Sequence, residues 1–340
     1  MATMNDVARL AGVSVSTVSY ALSGVRPISE ATRDRVRWAV EQLDYQPNLM
    51  ARGLAGRRTG FLALLLPTDE SPADPFMIEI IVAAAEAARE RDYHLLLWTE
   101  PAGESAGVKD LMRRGLIDGA LLLSVRLRED RVLALRKANV PLTLIGRTQD
   151  PGDGQFVDSD AEQAAELAIG HLSELGHQSV AYIGPPRSAY EDGIGIVVRI
   201  HDSLVASAER HGLRLTSVCA ERNVAASTRT VTDLIAAEPD VTAVLALDDS
   251  AIAGILNGLR SVHRSVPSDV SVIGLLVSPQ VAEMAWPKVT TVSHDPRDLG
   301  RLAALAMIDA LDGASDGAHQ VLLPSELARR STTAPAPVDR

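Results

Sequence analysis

Few residues in this chain have the type and spacing to do chemistry, and most of those resolve into structural roles. Asp248 and Asp249 are adjacent carboxylates, the pairing that acid–base catalysis uses. They follow the apolar run VLAL and precede a helical pattern, so a strand-end acid and a helix cap account for them. His171 and His177 lie six apart, on and just after a helical segment, and do not share a face. No cysteine or acid cluster completes a set with them, and no metal site is expected. The segment Asp192-Gly-Ile-Gly contains a GxG, but no strand ends before it and a third glycine is missing, which argues against a dinucleotide site. No serine or cysteine nucleophile motif occurs, and no cofactor is expected. The single Cys219 cannot form an internal disulfide and reads as a small core hydrophobe in a reducing compartment. What remains is a dense run of hydroxyls between positions 14 and 20. Ser14, Thr17 and Ser19 suit phosphate oxygens, while Val15, Ser16 and Tyr20 share an outward face from which a hydroxyl or a valine methyl can meet a base edge.

That run sits in a set of three short helical patterns. The first covers residues 5–11 and stops at Gly12, a natural left-handed position. Ser14 caps the second, which turns Val18, Ala21 and Leu22 inward. Ser29 caps the third, where Val36, Val40 and Leu43 repeat at helical spacing before Pro47 breaks the pattern. Two helices joined by a tight glycine turn are the DNA-reading helix-turn-helix, whose second helix enters the major groove. Charge agrees with this placement. The chain is −11 overall, yet residues 1–60 hold eight arginines against five acids, so a +3 head precedes a −14 body. Such asymmetry fits a protein in which only the head meets phosphate.

From Gly60 onward, apolar runs alternate with amphipathic helices: FLALLLP, 77–91, HLLLW, 108–114, GALLL, 130–138, PLTLIG, then 161–175, SVAYIG, 200–211, LTSVC, 228–237, AVLAL, 250–259 and VSVIGLL. Continuous apolar strands alternating with helices predict an α/β core of two doubly wound lobes, with parallel sheets covered on both faces. Residues 150–154 (DPGDG) and 286–296 are the expected crossovers between lobes. The Pro-rich end, 331–340, is expected to be disordered. Aromatics make up 3% of the chain, so the core must be aliphatic. No apolar run is long enough to span a bilayer, and the first residues do not read as a signal peptide; the expectation is a cytoplasmic protein with no membrane partner.

The stretch MNDVARLAGVSVSTVSYALSGVRPISEATRDRVRWAVEQLDYQPNLMARGLAG resembles, without a gap, the headpiece of LacI/GalR-type regulators. By that resemblance Val15, Ser16 and Tyr20 are base-reading positions, although the family often carries arginine where Tyr20 stands. The resemblance also implies a hinge that folds on operator DNA. There Leu54 would wedge between base steps and Asn48 and Arg52 would touch backbone or groove edges. Beyond Gly60 the stretches DSDAEQAAELAIGHLSELGHQSVAYIG, ALDDSAIAG and PKVTTVSHDPRDLG are similar to the family's periplasmic-binding-protein-like core.

In such a core the effector binds in the cleft between lobes, outside the strand ends. Phe76 is placed to stack on it. Asp249 matches a position that often binds ligand hydroxyls, and Arg199 lies close to the position of an effector-binding arginine. After Gly274 the family often has an aromatic and an acid; here Leu275 and Leu276 follow, with Leu275 taken as the pocket residue. The missing carboxylate suggests a ligand less rich in hydroxyls than a typical sugar, or a degenerate pocket. The expected domains are a headpiece at 1–46, a hinge at 47–59, an N-terminal lobe at 60–158 plus 291–318, and a C-terminal lobe at 159–290 plus 319–330.

The combined reading is a transcription regulator, a repressor by expectation. It would bind a pseudo-palindromic operator in double-stranded DNA as a homodimer under the control of a small-molecule effector. No leucine-heptad tail is present to make tetramers. A pure solute-binding protein fits the core but not the headpiece, and an enzyme lacks any supporting motif.

Overall fold

The computed structural model describes residues 2–23, 26–45, 58–67, 75–101, 104–314 and 319–337. Two compact units result, residues 1–59 and 60–340.

In the first unit, helices α1 (Met4–Ala11), α2 (Val15–Ser23) and α3 (Glu30–Gln42) enclose a small core of Val7, Ala8, Ala11, Val18, Val36, Ala39 and Tyr45. Each start has a chemical cause. Thr3 and Asp6 form a reciprocal capping box on α1, and Gly12 ends it at φ +64°. Ser14 Oγ accepts from the Thr17 N–H at 3.1 Å to begin α2, and Ser29 caps α3 through Thr32 N. These caps satisfy N–H groups that a helix end leaves orphaned. Leu10, apolar in sequence, stays exposed.

Among the described residues the second unit contains two six-stranded sheets. The N-lobe sheet holds β1 (Phe61–Pro67), β2 (His94–Glu100), β3 (Gly119–Leu122), β4 (Leu142–Ile145), β5 (Gln155–Ser159) and β11 (Gln320–Leu323), in the order β11-β5-β4-β3-β1-β2, all parallel. The C-lobe sheet holds β6 (Ser179–Gly184), β7 (Arg214–Cys219), β8 (Ala243–Leu247), β9 (Ser271–Leu275), β10 (Thr290–Ser293) and β12 (Glu326–Ala328), in the order β12-β10-β9-β8-β6-β7, with only β12 antiparallel. Central strands such as Val180–Ile183 and Leu62–Leu65 are fully buried because helices cover both faces. In the N-lobe these helices are α4 (Pro75–Glu90), α5 (Ala106–Arg113), α6 (Asp130–Lys137) and α13 (Pro296–Asp312); in the C-lobe they are α7 (Ala161–Glu174), α8 (Arg187–Glu191), α9 (Gly195–His211), α10 (Val224–Ala237), α11 (Asp249–Ser261) and α12 (Pro279–Met284). Both sheets repeat one strand order, which places a switch point, and hence a crevice, at the carboxyl ends of their strands. Helices α4 and α13 pack closely, and Gly300 lets their backbones touch: a β-carbon there would collide with the Ile80 carbonyl and sit 2.9 Å from Ala84 N.

Several sequence expectations need correction. The chain changes lobe three times: at Asp160, between β10 and α13, and at Pro324-Ser325. Segment 150–154 is therefore a connection inside the N-lobe, between β4 and β5. Residues 291–293 belong to the C-lobe through β10, although they were assigned to the N-lobe. Residues 320–323 belong to the N-lobe through β11, although they were assigned to the C-lobe. Long-range strand pairing decides this: TTVS is polar and QVLL only four residues long, and neither says locally which sheet it joins.

The described part of the tail, 331–337, is ordered against the C-lobe. Thr332 is fully buried, donates to Val272 O at 2.6 Å and accepts from Thr290 N at 2.8 Å, while Val272 N donates to Thr332 O. Ala334 N and Ala336 N are held by Ser271 Oγ and Leu175 O. Backbone pairing outweighs the Pro-rich composition. Cys219, expected in the core, is exposed on edge strand β7. Among the described residues no helix is long and apolar enough to cross a membrane.

Candidate DNA-reading face and effector cleft

On α2 the buried Val18 anchors the helix, so Val15 and Ser16 on the other side are exposed, with Tyr20 one turn beyond Ser16 half-exposed. Ser14 Oγ lies 2.8 Å from both Ser16 Oγ and Thr17 Oγ1, forming a hydroxyl cluster at the helix start. Ser19 is half-buried. Sequence reasoning missed Arg26, whose guanidinium lies 5.3 Å from the centroid of the Tyr20 ring. The hinge candidates Asn48, Arg52 and Leu54 lie outside the described residues.

Between the lobes lies a cavity of about 140 Å³. Strand ends of both sheets supply its walls: Leu123 and Ser124 after β3, Ile145 at the end of β4 with Gly146 after it, Asp158 and Ser159 at the end of β5. From the C-lobe come Leu247 at the end of β8 with Asp248 after it, Leu276 after β9, and Arg222. Most of the lining is apolar.

Of the four sequence-chosen residues, Phe76 lines this cavity. It packs against the apolar clusters of both lobes and meets the His294 ring edge-on at 5.7 Å. The other three do not line it. Leu275 is fully buried in the C-lobe core, because alternation along β9 turns it away; Leu276, at φ +50°, faces the cavity instead. Asp249 accepts the Phe76 N–H at 3.2 Å and the Ser278 N–H at 2.8 Å, tying one lobe to the other. Arg199 crosses from α9 to the N-lobe, donating to Arg147 O at 2.7 Å and Thr148 O at 3.0 Å and pairing with Asp158 at 3.3 Å. These two side chains hold the lobes together rather than lining the opening.

Asp158 is the charged residue that sequence reasoning left unused. Burial pushes its carboxyl up to about 6, against the opposing pull of the Arg199 and Arg147 guanidinium groups. Burial also lowers the Arg199 guanidinium from its ordinary value. Desolvation outweighs attraction at this site. Its only signal in sequence was an acid at a strand end inside the family-like stretch. Across the cavity Asp248 pairs with Arg222 at 3.2 Å and caps α11 through Ser250 N, from a backbone at φ +92°. The adjacent carboxylates Asp248 and Asp249 thus serve separate partners.

The GxG segment has a cross-lobe role too. Gly195 N donates to Val125 O, Leu127 N to Gly193 O, and a β-carbon at Gly195 would lie 3.0 Å from the carbonyls of Val125 and Arg147. Glycine is needed there because two backbones meet. His171 and His177 have distinct partners, Thr333 for the first and Thr242, Ser271 and Ala334 O for the second. Among the described residues no group of three or more His, Cys, Asp or Glu could hold a metal ion.

A helix-turn-helix unit preceding a two-lobed core with an interlobe cavity defines a DNA-binding protein built on a solute-binding scaffold. Comparison with known proteins agrees. Residues 3–48 match the model for bacterial regulatory proteins of the lacI family, and residues 169–333 match a periplasmic binding protein-like domain. The HTH-type transcriptional regulator CelR of Thermobifida fusca is 31% identical over 335 residues, covering 97% of this chain and 98% of that protein. The solved complex of the transcriptional regulator CelR with cellobiose is 28% identical, covers 98% of this chain and 100% of that one, and has a TM-score of 0.71. The Lac repressor dimer bound to operator and the anti-inducer ONPF shares the fold at a TM-score of 0.83, with 22% identity over 98% of this chain and 99% of that one. This chain belongs to the LacI family of bacterial transcription regulators.

Proposed function

We propose that this protein is a cytoplasmic repressor that binds a pseudo-palindromic operator as a homodimer and is controlled by a small molecule held between its lobes. The observation that carries the proposal is the cavity at the joined strand ends, walled by both lobes, which Arg199 and Asp249 tie to each other. A ligand with different affinity for the closed and opened lobes shifts the balance between them, and that shift is what an operator-bound dimer can read.

The cavity walls suggest the ligand. An apolar face would rest on Phe76, Leu123 and Val125, and a few polar groups would reach Ser124, Ser159 and Asp158. At about 140 Å³ the space is smaller than the roughly 300–1,000 Å³ of typical ligand sites, so occupancy requires the lobes to part. A sugar-like effector is consistent with the cellobiose complex of the CelR regulator, and the missing acid after Gly274 favours one that presents few hydroxyls to the C-lobe. Exposed Ile78 and Val82, one turn apart on α4, and Leu97 on edge strand β2 give the N-lobe an apolar surface for the second copy. We read the protein as a non-enzyme, since the carboxylates at the cleft are engaged in ion pairs and backbone hydrogen bonds.

The test is capture of genomic fragments by the purified protein, followed by sequencing. Enrichment of a symmetric motif supports the proposal. No enrichment at low or moderate salt, with and without cell extract, refutes it.

A further inference from the structure

Residues 331–337 follow β12 and run past the starts of β10, β9 and β6, where two buried histidines hold them. His177, in the turn between α7 and β6, places Nε2 3.2 Å from Ala334 O and 3.1 Å from Ser271 Oγ, with Nδ1 2.8 Å from Thr242 Oγ1. A carbonyl only accepts, so Nε2 carries the hydrogen and Nδ1 accepts from the Thr242 hydroxyl. His171, on the last turn of α7, meets Thr333 Oγ1 at 3.2 Å through Nε2, and Thr333 in turn meets Thr290 Oγ1 at 3.2 Å. The His171 Nδ1 is buried and, among the described residues, has no hydrogen-bond partner. Both rings therefore fit as neutral imidazoles. A second proton on His171 would strand a charged N–H away from water, and one on His177 would face the repulsion of a charged His171.

We propose that residues 331–337 form an acid-released strap: it stays docked while His171 and His177 are neutral, and when they take up protons it detaches and loosens β12, the strand that follows the third lobe crossing. The coupling to β12 comes from its length. Glu326–Ala328 pairs with β10 over three residues only, and the strap clamps the chain just beyond it through Thr332 and Ala334. Release thus gives the crossing at Pro324-Ser325 a sensitivity to acid. The charged surroundings leave burial in control. Burial lowers both rings from the ordinary 6.5. At His171 the Arg329 guanidinium adds to this and Glu174 opposes it, and these two pair with each other at 3.7 Å. At His177 the charge of His171 adds to it and the Ala334 carbonyl opposes it. Around the cavity that His177 lines, Arg214 and Arg264 stand against Asp240 and Asp269, and His211 is engaged by Glu166. The sign follows. Groups lowered in the docked state bind more protons in the released one, so docking is complete above about pH 7 and weakens as pH falls below 6.5.

The test is amide hydrogen exchange of the full-length protein, corrected for intrinsic rates and followed from about pH 7.5 to about pH 5.5. Protection of the Ala334 and Ala336 amides should fall by about tenfold if one histidine takes up its proton on release and by up to about a hundredfold if both do. Protection in β12 should fall with it, while β6 and β8 stay protected. A variant carrying His171→Gln and His177→Gln keeps neutral hydrogen-bonding side chains, and its strap should show no fall in protection over that range. Strap protection that does not change with pH in the wild type overturns the proposal, and this result does not require the variant to fold. Equal loss in β6, β8 and the strap overturns it too, since acid is then unfolding the whole lobe. The same acid loss in the double variant as in the wild type assigns the effect to other groups and overturns it. A strap that loosens while β12 stays protected overturns the coupling to the crossing. The operator-binding reading stands or falls separately from each of these results.

Discussion

Replacing Arg199 by methionine tests the interlobe clamp. Methionine keeps much of the apolar stem and removes the guanidinium, so the variant isolates the polar crossing. Two carbonyls, those of Arg147 and Thr148, lose their donor, and the buried Asp158 keeps only Arg147 as a charged partner. The size of the effect depends on pH through Asp158. Its folded pKa, about 6, lies above the ordinary 3.8 because the carboxylate is buried. The sign follows. Stability contributed by this group is fully present below about pH 4 and is lost as pH rises through about 6. Arg199 limits that loss by stabilising the ionised form. At pH 8 Asp158 is charged, and a hydrogen bond to a charged group nets about 1.5–3 kcal/mol. At pH 5, one unit below its pKa, roughly nine-tenths of it is protonated and that charge-assisted part disappears. The destabilisation caused by Arg199→Met should therefore shrink by about 2 kcal/mol between pH 8 and pH 5. Urea unfolding of both proteins at several pH values gives the two stability curves. Curves that converge toward acid support the reasoning; parallel curves would show that Asp158 does not depend on Arg199, and would refute it.

Other substitutions test separate parts of the structure. Thr332→Val should cost about 2 kcal/mol, because it leaves the buried Thr290 N–H without its acceptor, and thermal unfolding followed by circular dichroism will measure it. Gly300→Ala should cost about 1–3 kcal/mol, since the added methyl meets the backbone of α4 at Ile80 and Ala84; an unchanged melting temperature would mean that the helix pair can separate freely. Ser14→Ala removes the cap of α2 and should destabilise the headpiece by about 1 kcal/mol, read as faster amide exchange in α2 with exchange in the core sheets unaffected.

How much of this was legible in sequence follows from burial and length. Runs such as SVAYIG and AVLAL announced themselves because strands covered on both faces must be continuously apolar. The short strands at and next to the sheet edges did not. QFVDS and TTVS lie one strand in from an edge and ELA forms one; all three are short, and their sheet membership is fixed by which neighbours they reach, a long-range property with no local signature. This is why the lobe boundaries at 291–293 and 320–323 were misplaced. The tail was misjudged for a related reason: the Thr332 pairing with Val272 and Thr290 spans some forty to sixty positions of sequence, as the separations of 42 and 60 show. At the cleft, residue type led to Arg199 and Asp249, but their side chains are spent on partners in the opposite lobe or on backbone. Asp158 and Leu276 became visible as cavity residues only once the strand ends were brought together. Arg26 lay outside the helical pattern and gained meaning only from its position over Tyr20.

The most direct measurement of the central claim is the affinity of the protein for its captured operator in the presence of a panel of mono- and disaccharides, compared between the wild type and Phe76→Ala. The change spares the Phe76 backbone N–H that binds Asp249, so the lobes keep that tie. If the cleft is the control site, at least one compound shifts operator affinity in the wild type, and the shift is lost or strongly reduced in Phe76→Ala while affinity without compound is unchanged. A shift of equal size in both proteins would place the control site elsewhere and contradict the account.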